Sequence, residues 1–123
     1  NAYNDDIPYV LKKNDQKLVI IPYSFDTNDM RYDGNNGFVH GDDFNIYCKE
    51  SFNQLLLETD DGSPRMMSIG LHPRIIGRPG RIKGLEDFIK YVKTFKNVWI
   101  PKRMDIAKYC LEKDSFNFFW LNI

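Results

Sequence analysis

Short apolar segments alternate along the chain with segments of helical periodicity, and this order limits the fold more than any other feature. The strand-like segments are 17–22, 66–72 and 97–100, and a segment with helical spacing of apolar residues follows each of them. The first two lack polar–apolar alternation, which is typical of strands buried on both faces of a parallel sheet. The order therefore predicts an α/β fold with parallel strands joined by right-handed helical crossovers.

The three predicted helices are identified by apolar residues that recur every three or four positions. The first begins at a cap formed by Asp42 or Asp43, and the last is capped by Asp105 and continues to about Lys113. Their apolar faces consist of Phe44, Tyr47, Cys48, Phe52, Leu55 and Leu56 in the first helix, Ile82, Leu85, Phe88, Ile89, Val92 and Phe95 in the second, and Ile106, Tyr109 and Cys110 in the third. We expect residues 1–16 to form a loop and the apolar tail 116–121 to be buried.

Each strand–helix unit spans roughly thirty residues, the size of one unit of a (β/α) barrel. A complete eight-unit barrel needs roughly 250 residues. The 123 residues of this chain cannot close one. The chain is therefore either a small open sheet or about three βα units from the later portion of a barrel.

Composition excludes several classes of protein. With 42% hydrophobic and 28% charged residues the chain is globular, and charges interrupt every apolar run that could span a membrane. Seventeen basic residues balance seventeen acidic ones, which argues against a nucleic acid or an anionic membrane as a partner. No basic and apolar leader is visible at the start, so we expect a cytoplasmic location.

Polar side chains are concentrated in two loops that follow predicted strands, 23–31 and 72–81. Sites in parallel α/β folds lie at the carboxyl ends of strands, and His72 occupies that position. A carboxylate from the first loop, Asp26 or Asp29, would fix the tautomer of the imidazole and form an acid–base pair with it. The alternative is structural: the histidine would bond to backbone and the aspartates would form turns.

Other residues give weaker indications of a binding site. Arg74 and Arg78 in the second loop could hold a carboxylate or phosphate, or they could be solvated. The two histidines, His40 and His72, lie in different loops and lack the spacing of a zinc site, so no metal site is predicted within the chain. No phosphate-binding glycine loop is present.

Both loops belong to a set of motifs that resembles one known family. The motifs lie at 4–9, 22–31, 41–44, 68–74, 77–81 and 98–107. The most specific strings are those at 28–31 and 77–81. The chain is similar to the C-terminal part of the polysaccharide deacetylase superfamily (carbohydrate esterase family four), in the branch that contains the metal-independent allantoinases and related cyclic-amide hydrolases.

The resemblance implies that residues 1–123 are the C-terminal portion of a polysaccharide deacetylase-like domain, which is a distorted (β/α) barrel. The family's fourth motif corresponds to 26–30, with Met30 in place of the usual Trp, and the fifth motif ends at His72. Gly70 stands where the family has Leu. Both changes would remove walls of the usual acetyl and sugar pocket and leave room for a different amide.

The resemblance further implies hydrolysis of a carbon–nitrogen bond other than a peptide bond, in a linear or cyclic amide. His72 would be the general acid, and Asp29 and Asp26 would be the other catalytic residues. We expect the substrate to be bound by side chains of the two loops, namely Tyr23, Met30, Arg31, Arg74 and Arg78. The alternatives are a metal-dependent N-deacetylase of chitin or another polysaccharide, and a catalytically inactive partial barrel.

The family's first three motifs contain the catalytic base and an Asp-His-His metal set, and they do not occur in this chain. The remaining N-terminal part of the barrel is therefore an expected partner that would supply them. No cofactor is expected within the chain itself, and a divalent metal such as zinc would be bound only where upstream motifs hold its ligands. By resemblance we also expect a homo-oligomer and a small-molecule or N-acetylated sugar substrate.

Overall fold

The computed structural model describes residues 7–113 and 119–122. Its strands are β1 (Tyr9–Lys13), β2 (Gln16–Ile20), β3 (Met66–Ser68), β4 (Val98–Trp99) and β5 (Phe119–Asn122). Its α-helices are α1 (Gly41–Glu58), α2 (Pro73–Ile76), α3 (Ile82–Val92) and α4 (Arg103–Glu112). Two short 3₁₀ turns complete the set, at Asp29–Tyr32 and Thr59–Asp61.

The main sheet consists of three parallel strands in the order β3–β5–β4. The parallel arrangement predicted for the later strands is confirmed. The order differs from the order along the chain, because β5 pairs with both of the other strands and lies between them. Residues 119–122 therefore form the central strand of this sheet, and within the described residues the sheet stays open. Residues 116–118 and the expected burial of the tail's side chains lie outside what the structure describes.

The start of the chain differs from the prediction. Residues 9–13, expected to lie in a loop, form β1, which pairs in antiparallel register with β2. The segment 17–22 is consequently not a buried parallel strand, and the side chain of Leu18 is 59% exposed. The cause is a two-residue hairpin turn in which Asn14 has a φ of 49°, a left-handed conformation that asparagine tolerates.

The chain that leaves β2 runs beside β3 and is held there mainly by polar contacts. An isolated parallel bridge joins Asn28 to Gly70. The hydroxyl of Thr27 donates to the carbonyl of Ser68 at 2.6 Å, and the hydroxyl of Ser68 donates to the carbonyl of Pro22 at 2.9 Å. These side-chain bonds stand in for the backbone hydrogen bonds of a regular parallel strand pair, to which Pro22 cannot contribute because proline has no N–H. They place the loop after β2 next to the carboxyl end of β3.

The helices agree with the predicted apolar faces except at Ile82, the first residue of α3, which was expected to face inward and is 44% exposed. In α1 the side chains of Phe44, Cys48 and Phe52 are fully buried. The cap is two or three residues earlier than expected: α1 begins after His40, and the Asp43 carboxylate accepts the backbone N–H of His40 at 2.7 Å. A second N–H, from Val39, bonds to the same oxygen at 2.7 Å. Both bonds lower the pKa of the Asp43 carboxyl.

Close packing of α1 against α3 builds the larger core. A Cβ placed on Gly84 in α3 would lie 2.1 Å from the carbonyl oxygen of Gly41, so only glycine permits this approach. Phe88 and Val92 of α3 are buried against Phe52 in the same core. This core lies behind β3 and the loop that follows it, and it supports the segment that carries the polar side chains of interest.

The last helix forms a smaller core with the start of the chain. The residue that caps α4 is Lys102, three residues before the predicted cap Asp105, whose carboxylate accepts the N–H of Lys102 at 3.2 Å. Ile106 and Cys110 point inward as expected. Among residues 7–113 and 119–122, no helix combines the length and apolar character needed to cross a lipid bilayer.

Candidate active site

A buried carboxylate and a partly exposed imidazole meet at the carboxyl end of β3. Asp29 has no solvent exposure, and its Oδ1 lies 2.7 Å from Nδ1 of His72. Its Oδ2 accepts the backbone N–H of His72 at 2.6 Å and that of Ile76 at 3.3 Å. The His72 side chain keeps 27% of its surface exposed. The two loops singled out by the sequence therefore converge through these two residues.

Local backbone geometry aims Asp29 at this position. Asn28 is extended and caps the following 3₁₀ turn, because its Oδ1 accepts the N–H of Met30 at 2.9 Å. The N–H of Asp29 donates to the carbonyl of Gly70 at 3.0 Å, which ties the turn to the end of β3. On the other side Pro73 occupies the first position of α2, where its fixed φ suits a helix start, and His72 remains extended.

The geometry suits proton transfer by His72. A buried carboxylate is costly unless its oxygens are hydrogen-bonded, and Asp29 has N–H donors on both of them. With Asp29 on Nδ1, the ring presents Nε2 to whatever binds above it. A carboxylate in this place selects the tautomer and stabilises the imidazolium that forms when the ring accepts a proton.

Asp26 lies in a different group of side chains. Its Oδ1 accepts the hydroxyl of Tyr47 at 2.6 Å and lies 3.3 Å from Nη1 of Arg31. The Asp26 side chain is 60% exposed, and the Arg31 guanidinium lies over the rings of Tyr47 at 4.1 Å and Phe38 at 4.8 Å. The hydrogen bond to Asp26 raises the pKa of Tyr47. The structure thus brings Asp29, and not Asp26, into hydrogen-bond contact with His72.

The remaining predicted binding residues are more dispersed. Met30 follows Asp29 directly and is 46% exposed. Arg74 and Arg78 are exposed on the outer side of α2, where Nε of Arg78 donates to the carbonyl of Arg74 at 3.1 Å. Tyr23 is half-buried, and its hydroxyl is within 2.6 Å of Nδ2 of Asn28.

Gly70 has a role that differs from the expected one. A Cβ at this position would lie 2.1 Å from Nδ2 of Asn28 and 2.8 Å from the hydroxyl of Tyr23. The missing side chain therefore makes room for Asn28 and Tyr23, and this corrects the expectation that it opens space for substrate. Asn28 is fully buried and was not singled out from the sequence. Its role could have been inferred from its position directly before Asp29, because an asparagine side chain at such a position often caps the following turn.

The donor sets in the described residues do not fit a metal ion. No three His, Cys, Asp or Glu side chains within 7–113 are grouped so that they could hold one. The Asp29 oxygens already accept N–H groups. Burial raises the pKa of Cys48 to about 12 and that of Cys110 to about 11, so both thiols are protonated at neutral pH and are poor ligands and nucleophiles.

Known proteins resemble this chain over nearly its whole length. A Schizosaccharomyces pombe protein named "Putative polysaccharide deacetylase" is 39% identical in an alignment 117 residues long that covers 88% of this chain and 37% of that protein. The crystal structure of "Puue Allantoinase" matches with a TM-score of 0.86 and 42% identity, over 94% of this chain and 39% of the other. A "probable Polysaccharide deacetylase" from Pseudomonas aeruginosa PAO1 matches with a TM-score of 0.86 and 41% identity, over the same shares. A comparison with models of protein families gives no match.

These matches confirm the resemblance to the polysaccharide deacetylase superfamily and its allantoinase-like branch. The relatives carry the names of hydrolases, and the mixed helix–strand fold described above matches one part of their structures. The chain spans less than two fifths of the length of each of these relatives.

Proposed function

We propose that the full-length protein hydrolyses carbon–nitrogen bonds other than peptide bonds, with a cyclic amide of the allantoin type as substrate. The observation that carries this proposal is the 2.7 Å contact between the buried carboxylate of Asp29 and Nδ1 of His72. The similarity to an allantoinase of 42% identity supports the substrate class. This similarity extends over the two loops that meet at the pair, since 94% of the chain is covered.

In the proposed reaction, water attacks the amide carbonyl while a carboxylate outside this chain removes a proton from it. The new carbon–oxygen bond forms, the carbon–nitrogen bond breaks, and His72 donates a proton from Nε2 to the leaving nitrogen. Asp29 holds the ring in the required tautomer and stabilises its charged form. General acid catalysis of this kind contributes about 10²–10⁴-fold to a rate.

The proposal places this chain in the later portion of a distorted (β/α) barrel of about three βα units. The open sheet β3–β5–β4 supports this placement, because among the described residues β4 pairs with β5 alone and its other edge needs a neighbour. The N-terminal part of the barrel would provide that neighbour together with the catalytic base. Any divalent metal would also be bound there, and assembly into a homo-oligomer is part of the same proposal.

The second candidate is a metal-dependent N-deacetylase acting on chitin or a related polysaccharide. The names of the Schizosaccharomyces pombe and Pseudomonas aeruginosa relatives favour it. The Asp29–His72 pair would serve the same purpose there, since an acetamide also leaves through its nitrogen. The two candidates differ in the substrate and in the need for a metal.

The test is an assay of the full-length protein on allantoin and on N-acetylated chito-oligosaccharides, each with and without a chelator. We expect turnover of allantoin that the chelator does not reduce. Turnover of the oligosaccharides alone, lost with the chelator, would establish the second candidate. No hydrolysis of either substrate would favour the third possibility, a catalytically inactive protein.

A further inference from the structure

The orientation of the Asn28 side chain is fixed by its two neighbours. The N–H of Met30 can only donate, so the Asn28 atom that faces it at 2.9 Å is the carbonyl oxygen Oδ1. The opposite end is then the amide nitrogen, which lies 2.6 Å from the hydroxyl oxygen of Tyr23. Since an amide nitrogen donates and does not accept, the Tyr23 oxygen is the acceptor in this bond.

The hydroxyl proton of Tyr23 must therefore point away from Asn28. A phenol has one proton to donate, and the described residues 7–113 present no acceptor for it in the structure. Tyr23 is half-buried, so part of its side chain is accessible to a ligand. The arrangement leaves a single oriented O–H donor beside the end of β3.

This donor lies on the same face of the chain as His72. The hydroxyl of Tyr23 approaches the position that a Cβ of Gly70 would occupy, and Gly70 precedes His72 by two residues. Side chains two residues apart in an extended chain point to the same face, separated by roughly 6–7 Å. A small amide bound against this face can contact the imidazole at one end and the phenol at the other.

The backbone before Tyr23 is held rigidly. The carbonyl of Pro22 accepts the hydroxyl of Ser68, and the carbonyl of Ile21 accepts Nη2 of Arg103 at 2.6 Å. Arg103 is the first residue of α4 and Ser68 is the last residue of β3, so two other elements of the fold hold the backbone that precedes this phenol. An oriented donor that does not need to reorganise when the ligand binds is the kind that contributes most to recognition.

We propose that Asn28 forces the hydroxyl of Tyr23 to act as a hydrogen-bond donor to a second carbonyl oxygen of the substrate, next to the amide that is cleaved. The inference rests on the proposed function and deepens it, because it selects cyclic imides and ureides over simple lactams. A neutral phenol suits an uncharged carbonyl, whereas the exposed arginines would suit an anion. Asn28 is a positioning residue in this account, and Tyr23 is the residue that touches substrate.

The experiment compares full-length wild-type protein with the variants Tyr23→Phe and Tyr91→Phe. Tyr91→Phe is the control. It removes a hydroxyl that, like that of Tyr23, bonds to an asparagine side chain, here Asn53 at 2.7 Å, but Tyr91 lies on α3 away from the site. We expect Tyr23→Phe to lower kcat/KM for allantoin about 10-fold and Tyr91→Phe to leave it unchanged. The second measurement is competitive inhibition by succinimide and by 2-pyrrolidinone, which differ by one carbonyl oxygen. We expect Tyr23→Phe to reduce the preference for succinimide about 10-fold.

A second variant tests the role of Asn28 separately. Asn28→Asp keeps an oxygen for the N–H of Met30 but turns the other end into an acceptor, which attracts the proton of Tyr23. Asn28→Asp should lose the preference for succinimide as Tyr23→Phe does. The double variant that carries both substitutions should lose no more of this preference than either single variant. Absence of wild-type turnover would overturn the proposed function together with this inference. Wild-type turnover with an unchanged inhibitor preference in Tyr23→Phe would overturn this inference alone.

Discussion

The carboxylate of Asp29 contacts Nδ1 of His72 at 2.7 Å although the two residues are 43 positions apart in the chain. The contact depends on two local structures, a 3₁₀ turn capped by Asn28 and the start of α2 at Pro73, which leaves His72 extended. Neither structure is itself reactive. Together they bury the carboxylate of Asp29 beside the imidazole of His72, whose side chain stays accessible.

Replacement of Asp29 by asparagine should remove the charge while keeping the volume. The amide accepts N–H groups at one end only, so either its NH₂ group faces Nδ1 and the ring loses its tautomer, or the backbone N–H groups of His72 and Ile76 lose their acceptor. We expect kcat to fall about 10²–10⁴-fold in the full-length protein, the range of general acid–base catalysis. The loss of a buried hydrogen bond should also cost about 1–3 kcal/mol of unfolding free energy. Steady-state kinetics and urea denaturation measure the two effects.

Asp26→Asn is the matched control for that variant, because it changes the other candidate carboxylate in the same loop. Asp26 is largely exposed and bonds to Arg31 and Tyr47. We expect little change in kcat. A loss as large as that of Asp29→Asn would show that Asp26, with its partners Arg31 and Tyr47, takes part in the reaction.

Substitution of Gly70 by alanine should disturb the site through packing. The new Cβ would lie 2.1 Å from Nδ2 of Asn28, which is buried and has no room to withdraw. Overpacking of this kind costs about 1–3 kcal/mol of unfolding free energy. Gly34→Ala is the control, since no atom lies within 4 Å of its Cβ position. Equal thermal stability of the two variants would contradict the tight contact between Gly70 and Asn28.

The Asp43 cap of α1 should make stability depend on pH. Its pKa in the folded protein is below the ordinary value of 3.8 because of the bonds from His40 and Val39. A depressed carboxyl pKa stabilises the fold above the unfolded value and ceases to do so as pH falls through the folded value. Asp43→Ala should therefore lower the urea midpoint at pH 7, and its difference from wild type should shrink as pH falls below 3.8 and be lost as pH falls through the lower, folded pKa. A difference that is constant with pH would contradict the capping role.

The periodic parts of the fold are predictable from the sequence because burial determines them. The residues Phe44, Phe52 and Phe88 are spaced for helix faces, and all three are fully buried. The hairpin at Asn14 was missed because a short apolar run with β-branched residues fits an exposed hairpin and a buried strand equally well. The position of β5 between β3 and β4 has no local signal, since strand order is set by long-range packing.

Part of the candidate site was predictable for a similar reason. A histidine at a strand end next to a loop with aspartates follows a general rule of parallel α/β folds, and the structure places Asp29 at His72. Which aspartate makes the contact could not be predicted, because it depends on the turn that Asn28 caps. The filling of the space above Gly70 by Asn28 and Tyr23 also depends on that turn.

The most direct measurement is the rate of allantoin hydrolysis by the full-length protein carrying His72→Ala, compared with His40→Ala. His40 is the other histidine described in the chain, and it lies exposed at the start of α1. The account predicts a loss of at least about 100-fold in kcat for His72→Ala, with an unchanged circular dichroism spectrum, and none for His40→Ala. Full activity of a folded His72→Ala protein would contradict it.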